Sequence, residues 1–366
     1  MKINNIKLKD YRNIEELNVE FDDINIIWGE NAQGKTNLIE ALYLFTGNKS
    51  FRGNRDKELV RFGCDFARAD IFFTCQNRQQ SASMIIKGRR EATLNGIKRK
   101  SASDLGEEIK AIIFSPVHLS MIKDGPFERR RFIDGALSQL KTGYKNLLSD
   151  YNRALMQRNN LLKDLYAHPE MDSMLYIWNE NLARLGAKIV FQRLRYIEEI
   201  TPFVKEIYDG ISGGNENIEL CYLGSGENTA DINVIEKNIL DSLEKNKVSD
   251  IQNKITSAGP HRDDIDILIN GNSARLYGSQ GQQRSCVIAL KLAEAFLLKK
   301  MTDINPIALL DDVMSELDEK RQDYILNRIK GLQVFITCCD KEQILRLKEG
   351  KTFHIAKGSI IQNDEL

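Results

Sequence analysis

The chain has 366 residues, 42% hydrophobic and 28% charged, and its 52 basic side chains are balanced by 52 acidic ones. That length suits two or three domains rather than one core, and no apolar run reaches the ~18 residues that would cross a bilayer; a soluble, cytoplasmic protein with no membrane partner is expected. Six cysteines without ligand-like spacing and four scattered histidines argue against a disulfide framework and a zinc site.

Charge is uneven along the chain. Residues 1–150 hold 25 basic and 20 acidic side chains, and residues 151–366 hold 27 and 32, so a surface for a polyanion is expected in the front part. Ile3 to Leu8 and Leu17 to Phe21 read as strands, and Asp22-Asp23 turns the chain into a buried strand, Ile24 to Trp28. Next comes Gly29-Glu30-Asn31-Ala32-Gln33-Gly34-Lys35-Thr36, which fills the phosphate-loop pattern, and a helix from Asn37 to Phe45 follows. Gly29 and Gly34 let the backbone N–H groups of Asn31, Ala32 and Gln33 turn inward, and the helix start adds partial positive charge. Lys35 is expected on the β/γ-phosphates of ATP and Thr36 on Mg²⁺.

Lys49 to Lys57 is polar and basic and contains Arg52 and Arg55. Phe66 to Thr74 and Ala82 to Ile86 alternate like hairpin strands, with Arg89 and Arg90 beyond them and a turn at Asn95-Gly96. Such a basic meander could face the backbone of duplex DNA, or be an ordinary solvated hairpin. After a strand at Ala111 to Phe114, helical periodicity takes over: Phe127 to Leu148, Leu148 to Leu165 and Met174 to Glu199. The domain reading is therefore a head begun in residues 1–116, a helical lobe in 117–209, and the head completed in 210–366.

In that last part, Ile218 to Leu223 reads as a strand, residues 231–248 as a helix, and Ile265 to Ile269 as a strand behind Gly259-Pro260-His261-Arg262-Asp263-Asp264. Ser279-Gln280-Gly281-Gln282 opens a long helix, Cys286 to Lys300. It is either a second anion-binding helix start or a plain cap. Ile307 to Leu310 is a central strand ending in Asp311-Asp312. Asp311 is expected to hold Mg²⁺ and Asp312 to orient a water, with solvation or capping the bland role for the second acid. Asp318 could cap the next helix, Glu319 to Lys330. Gln333 to Thr337 reads as a strand, and shorter ones follow at Thr352 to Ile355 and Ser359 to Gln362.

Together these segments resemble ATP-binding-cassette ATPases of the SMC-like branch, and within it the RecF family of DNA replication and repair proteins. The resemblance rests on Gly29 to Ala41, Ser50-Phe51-Arg52, Phe114-Ser115-Pro116, Pro126 to Asp134, Gly259 to Asp264, Ser279 to Gln282 and Leu310 to Asp318, and runs over residues 1 to 360. It implies an α/β cassette head, a phosphate-loop NTPase with an inserted, mainly helical lobe and no long coiled coil. ATP and Mg²⁺ are the implied cofactors, with Asn37 and the signature residues Ser279, Gly281 and Gln282 added to the nucleotide contacts. Lys35, Asp312 and Ser279 would carry a weak, DNA-stimulated ATPase, and Arg52, Arg55, Arg89 and Arg90 would meet DNA.

Further implications are an ATP-dependent homodimer on double-stranded DNA near single-strand gaps, and partners RecR and RecO with RecA as client. These serve replication, recombinational repair and the SOS response. The chain departs from the wider cassette pattern in two places. Asp312 stands where Glu is usual, and the switch histidine is missing, Thr337 being followed by Cys338-Cys339. Gln76 and Gln79 are candidates for the Q-loop glutamine. Another SMC-like repair ATPase without the gap-loading role is the alternative, set apart by the Gly259 to Asp264 wording. A transport-coupled subunit would carry the switch histidine.

Overall fold

The computed structural model describes residues 1–53, 55–165, 168–224, 229, 231–339 and 350–365. In chain order the front holds β1 (Lys2–Tyr11), β2 (Ile14–Glu20), β3 (Ile24–Trp28), α1 (Lys35–Leu44), β4 (Ala67–Cys75), β5 (Arg78–Lys87), β6 (Arg89–Leu94), β7 (Ile97–Lys98) and β8 (Ala111–Phe114). The middle adds α2 (Pro116–Leu119), α3 (Pro126–Leu140), α4 (Tyr144–Asp164), α5 (Asp172–Ser212), β9 (Ile218–Leu223), α6 (Ile232–Lys245), α7 (Lys247–Asn253), β10 (Asp264–Ile269), β11 (Asn272–Ser273) and α8 (Ala274–Tyr277). The end supplies α9 (Gln280–Thr302), β12 (Ile307–Leu310), α10 (Glu319–Arg328), β13 (Val334–Cys338), β14 (Lys351–Ala356) and β15 (Ser359–Glu365).

The chain divides into two compact units, one of residues 1–120 with 284–366 and one of residues 121–283. Residues 210–283, expected to belong to the returning head, therefore associate with the helical segment. The cause is local pairing: β9 packs on α5, and β10, its antiparallel partner, packs on α3.

Among its described residues the first unit holds two six-stranded sheets. One is antiparallel, in the order β2-β1-β4-β5-β6-β7, and its alternation sets the faces: Ala67, Ala69, Ile71 and Phe73 of β4 point inward while Arg68 and Phe72 point out. The other runs β15-β14-β3-β13-β12-β8 and is parallel from β14 to β8. Its strands β8, β12 and β13 are buried at every residue, the mark of a parallel sheet covered on both faces.

The apolar side chains of α1 join both sheets in one core. Leu38, Ile39 and Leu42 share it with Ile6 and Ile71 of the first sheet and Ile27, Leu309 and Phe335 of the second. Phe21 meets Phe335 edge-on at 4.8 Å and Phe353 at 5.8 Å between centroids.

In the second unit the expected helix from Phe127 to Leu148 is interrupted. It ends at Leu140 and α4 begins at Tyr144, because Gly143 takes φ 82°. The third helix, α5, is longer than its periodic core suggests. It runs 41 residues through Pro202 and stops at Gly213 in a left-handed cap.

The segment Gly259 to Asp264 is the hub of this unit. The Pro260 carbonyl accepts Arg193 Nη1 at 2.7 Å, Asp263 accepts the Tyr222 hydroxyl at 2.5 Å, and Asp264 takes Arg129 Nε and Nη2 at 2.7 and 2.9 Å. His261 Nδ1 lies 2.7 Å from the Tyr151 hydroxyl and Nε2 lies 3.1 Å from the Thr256 carbonyl. Gly259 must be glycine: at φ 121° a Cβ would stand 2.6 Å from the Tyr151 oxygen. The distinctive wording thus ties α3, α4, α5 and β9 together, and Arg262 is its exposed member.

Candidate nucleotide site

Parallel strands deliver their following loops to one edge. Register pairs Trp28 of β3 with Cys338 of β13 and with His354 of β14, and Leu310 of β12 with Ile336. Gly29, Asp311-Asp312 and Cys339 consequently leave the carboxyl ends of neighbouring strands, where α/β sheets bind ligands.

The phosphate loop is built by close approach. At Gly29, φ 150°, a Cβ would lie 2.3 Å from the Ile355 carbonyl oxygen. Gly34 takes φ 117° and Ala32, without glycine's freedom, φ 64°. Two turns brace the loop from behind. Asn13 donates to the Gln33 carbonyl at 3.2 Å and accepts Asn37 Nδ2 at 2.7 Å; Gln33 also accepts the N–H groups of Lys357 and Gly358, at 2.7 and 2.8 Å. Gln33 and Asn37, expected on the nucleotide, thus use their described side-chain bonds to hold the loop.

Lys35 is 3% exposed and heads α1. Its ammonium donates to the carbonyls of Gly29 at 2.6 Å and Glu30 at 3.1 Å and to Cys339 Sγ at 3.2 Å. Cys339 in turn lies 2.9 Å from Asn31 Oδ1. In this version of the site, which lacks the switch histidine, the thiol two residues past Thr337 is the group that stands beside the lysine.

On the opposite side, the Thr36 hydroxyl donates to Asp311 Oδ1 at 2.9 Å. The Thr337 hydroxyl lies 3.1 Å from the same oxygen and 3.3 Å from Asp312 Oδ1, and accepts the Asp312 N–H at 2.7 Å. Burial pushes the Asp311 carboxyl up to about 6; the Asp312 charge adds to this, and the Thr36 and Thr337 hydroxyls and the Arg52 charge oppose it. A hydroxyl and a carboxylate at hydrogen-bond distance form a hard-oxygen pair of the kind Mg²⁺ takes alongside phosphate and water. Thr36 and Asp311 are the residues that would hold it.

A buried carboxylate anchors the loop that follows. Glu40 on α1 accepts Arg12 Nη2 and Nε at 2.8 and 2.9 Å, the Tyr11 hydroxyl at 3.1 Å and the Ser50 hydroxyl. Ser50 Oγ accepts the Arg52 N–H, and Arg52 Nη1 donates to Asn37 Oδ1 at 3.0 Å. Arg52, expected on DNA, is therefore tied to the first turn of α1.

Arg90 differs from expectation too. It is 10% exposed, donating to the Asn48 carbonyl at 2.6 Å and to Asp56 at 3.2 Å, so it clamps β6 to the loop rather than facing solvent. Arg89, 84% exposed with Glu91 at 3.3 Å, and the exposed Arg55 remain open to solvent. Gln76 takes φ 47° in the tight turn between β4 and β5 and Gln79 pairs with Thr74, so both belong to a hairpin end.

In the second unit Ser279 and Gln282 form a reciprocal capping box on α9. The Gln282 N–H donates to Ser279 Oγ at 3.2 Å, and the Ser279 N–H to Gln282 Oε1 at 2.8 Å. Gln282 Nε2 also reaches Glu216 at 2.7 Å. Gly281 lies in the first turn of that helix. Asp318 caps α10 through the Arg321 N–H at 3.1 Å, as its position suggests.

A loop of this sequence, its lysine, and an acidic pair at the end of a strand two places across the sheet define the class: an α/β phosphate-loop ATPase head of the cassette type with an inserted, mainly helical lobe. The family model for the RecF/RecN/SMC N terminal domain matches residues 2–357. The chain is 40% identical to the DNA replication and repair protein RecF of Lachnospira eligens, over 100% of both chains. It is 39% identical to that of Clostridium perfringens, over 98% and 99%. A solved structure described as the recombination mediator protein RecF with ATP in the RecFOR pathway superposes with a TM-score of 0.90 at 35% identity, over 100% and 97% of the two chains. An SMC head with a TM-score of 0.56 and 17% identity shares the fold. The chain belongs to the RecF family of SMC-like DNA-repair ATPases.

Proposed function

We propose that this chain binds ATP with Mg²⁺, closes as a homodimer around two nucleotides, and uses slow, DNA-stimulated hydrolysis to govern its hold on double-stranded DNA. Its place is the junction of duplex and single-strand gap in the cytoplasm, where it works with RecR and RecO in loading RecA. Replication, recombinational repair and SOS induction depend on that step. For RecR and RecO the support is the RecFOR pathway named in the description of the similar solved structure. Among the described residues, no helix is long and apolar enough to cross a membrane.

The observation that carries the nucleotide reading is the contact of Thr36 with Asp311 beside the buried Lys35. In the mechanism, Lys35 exchanges the carbonyls of Gly29 and Glu30 for β/γ-phosphate oxygens, and backbone N–H groups from Asn31 to Thr36 cradle the rest. Bound Mg²⁺ supplies charge neutralisation. Asp312 orients the attacking water, and the Ser279 hydroxyl at the start of α9, from a second copy, faces the γ-phosphate. The Ser279 oxygen already accepts one N–H, so its own proton is the group it would offer.

The test is ATP turnover with and without duplex DNA for parent, Lys35→Ala and Asp312→Asn. Loss of the stimulated rate in both variants supports the reading, and parental turnover in either overturns that residue's role.

A further inference from the structure

We infer that Thr337 is a positioning residue for hydrolysis, a single hydroxyl that sets the metal-side Asp311 and the water-side Asp312 relative to each other. The inference rests on the roles proposed above for those two carboxylates.

Three contacts converge on one oxygen. Thr337 Oγ1 accepts the Asp312 N–H at 2.7 Å and lies 3.1 Å from Asp311 Oδ1 and 3.3 Å from Asp312 Oδ1. The residue is 1% exposed near the end of β13, so water does not compete for these bonds. Its partner Asp312 has φ 49°, a left-handed conformation that costs a non-glycine residue energy and persists where neighbours hold it. The N–H bond to Thr337 is such a hold. It fixes the turn in which both Asp311 and Asp312 reach the Thr337 hydroxyl.

The hydroxyl has one proton and two carboxylate acceptors. Whichever carboxylate it serves, the other keeps that lone pair for another donor, so the threonine couples the two acids without carrying charge into the cleft. The neighbouring groups each reach one acid. Thr36 meets Asp311, and Cys339 Sγ stands 4.0 Å from Asp312 Oδ1. Valine has threonine's shape without the hydroxyl, whereas serine keeps the hydroxyl and loses only a methyl.

The experiment compares Thr337→Val, Thr337→Ser and Asp312→Asn for ATP affinity by calorimetry, steady-state ATP turnover with duplex DNA, and thermal melting. The expected result is a fall in kcat of about tenfold or more for Thr337→Val, with ATP affinity close to parental and a lowered but still cooperative melting transition. Thr337→Ser should recover most of the rate. Parental kcat in Thr337→Val beside an inactive Asp312→Asn overturns the inference and leaves the wider reading standing. Equal loss in the valine and serine variants also overturns it, because the hydroxyl would then not be the operative group. An active Asp312→Asn would defeat the underlying assignment itself.

Discussion

The Thr36 hydroxyl meets Asp311 Oδ1 at 2.9 Å, joining residues 275 positions apart. One ends the phosphate loop and the other ends a strand two places across the parallel sheet. The contact brings together the two oxygen donors that a phosphate-bound magnesium needs. Nearly every expectation about ATP depends on that convergence.

Lys35→Ala removes the cation buried against the loop carbonyls. A hydrogen bond to a charged group is worth about 1.5–3 kcal/mol, so ATP affinity should fall by roughly one to two decades. Titration calorimetry reads this directly; unchanged affinity would exclude Lys35 from the phosphates.

Asp311 gives a prediction with a definite sign. Burial raises its carboxyl to about 6 from 3.8, so the folded, metal-free chain holds a proton that the unfolded chain releases. Its favourable contribution is complete below the unfolded value and is lost as pH rises through about 6. Asp311→Asn should therefore stabilise the nucleotide-free protein near neutral pH, by at most about 3 kcal/mol, with no gain below about pH 4. At the same time it should abolish magnesium-dependent turnover. Thermal melting across pH tests the first part, and a pH-independent difference would contradict it.

His261 has the opposite sense. Burial pushes its pKa down to about 4, so the neutral ring between Tyr151 and Thr256 must be disrupted to charge. Stability is full above the unfolded value near 6.5 and declines as pH falls toward about 4. His261→Gln should flatten that decline, which denaturant titrations at graded pH would reveal. A parent with flat stability between those values would refute the buried neutral ring.

The arginines separate by environment. Neutralising the exposed Arg55 and Arg89 should weaken duplex binding alike for all sequences and reduce the salt slope by roughly 0.9 for each phosphate no longer neutralised. Arg90→Ala should instead cost stability, since it leaves Asp56 and the Asn48 carbonyl without their clamp. Equal salt slopes for parent and the Arg55/Arg89 variant would remove these residues from the DNA face.

What the sequence discloses depends on the range of each interaction. The phosphate loop is legible because its function is local: Gly29, Gly34, Lys35 and Thr36 act through backbone turns and a helix start within eight positions. The Asp311-Asp312 pair is legible because a short apolar strand announces its own end. Thr337 as a bridge between the two acids, and Glu40 as the anchor of Arg12, Tyr11 and Ser50, are not, since nothing in either residue's neighbourhood names partners many positions away. Arg90 reads as a surface cation for the same reason. Its partner Asp56 lies 34 positions earlier, beyond any periodicity. The helix break at Gly143 stays hidden because the apolar spacing continues across it.

The most direct test is the mass of Asp312→Asn by light scattering, with Mg²⁺, ATP and duplex DNA. Binding should survive while hydrolysis stalls, so ATP should hold two copies together around uncleaved nucleotide. One protein chain per particle is expected without ATP, two with it, and one again when Ser279→Arg is added, after the mass of any bound DNA is subtracted. A mass that ATP does not change, or a dimer that Ser279→Arg leaves intact, would contradict the shared-nucleotide dimer.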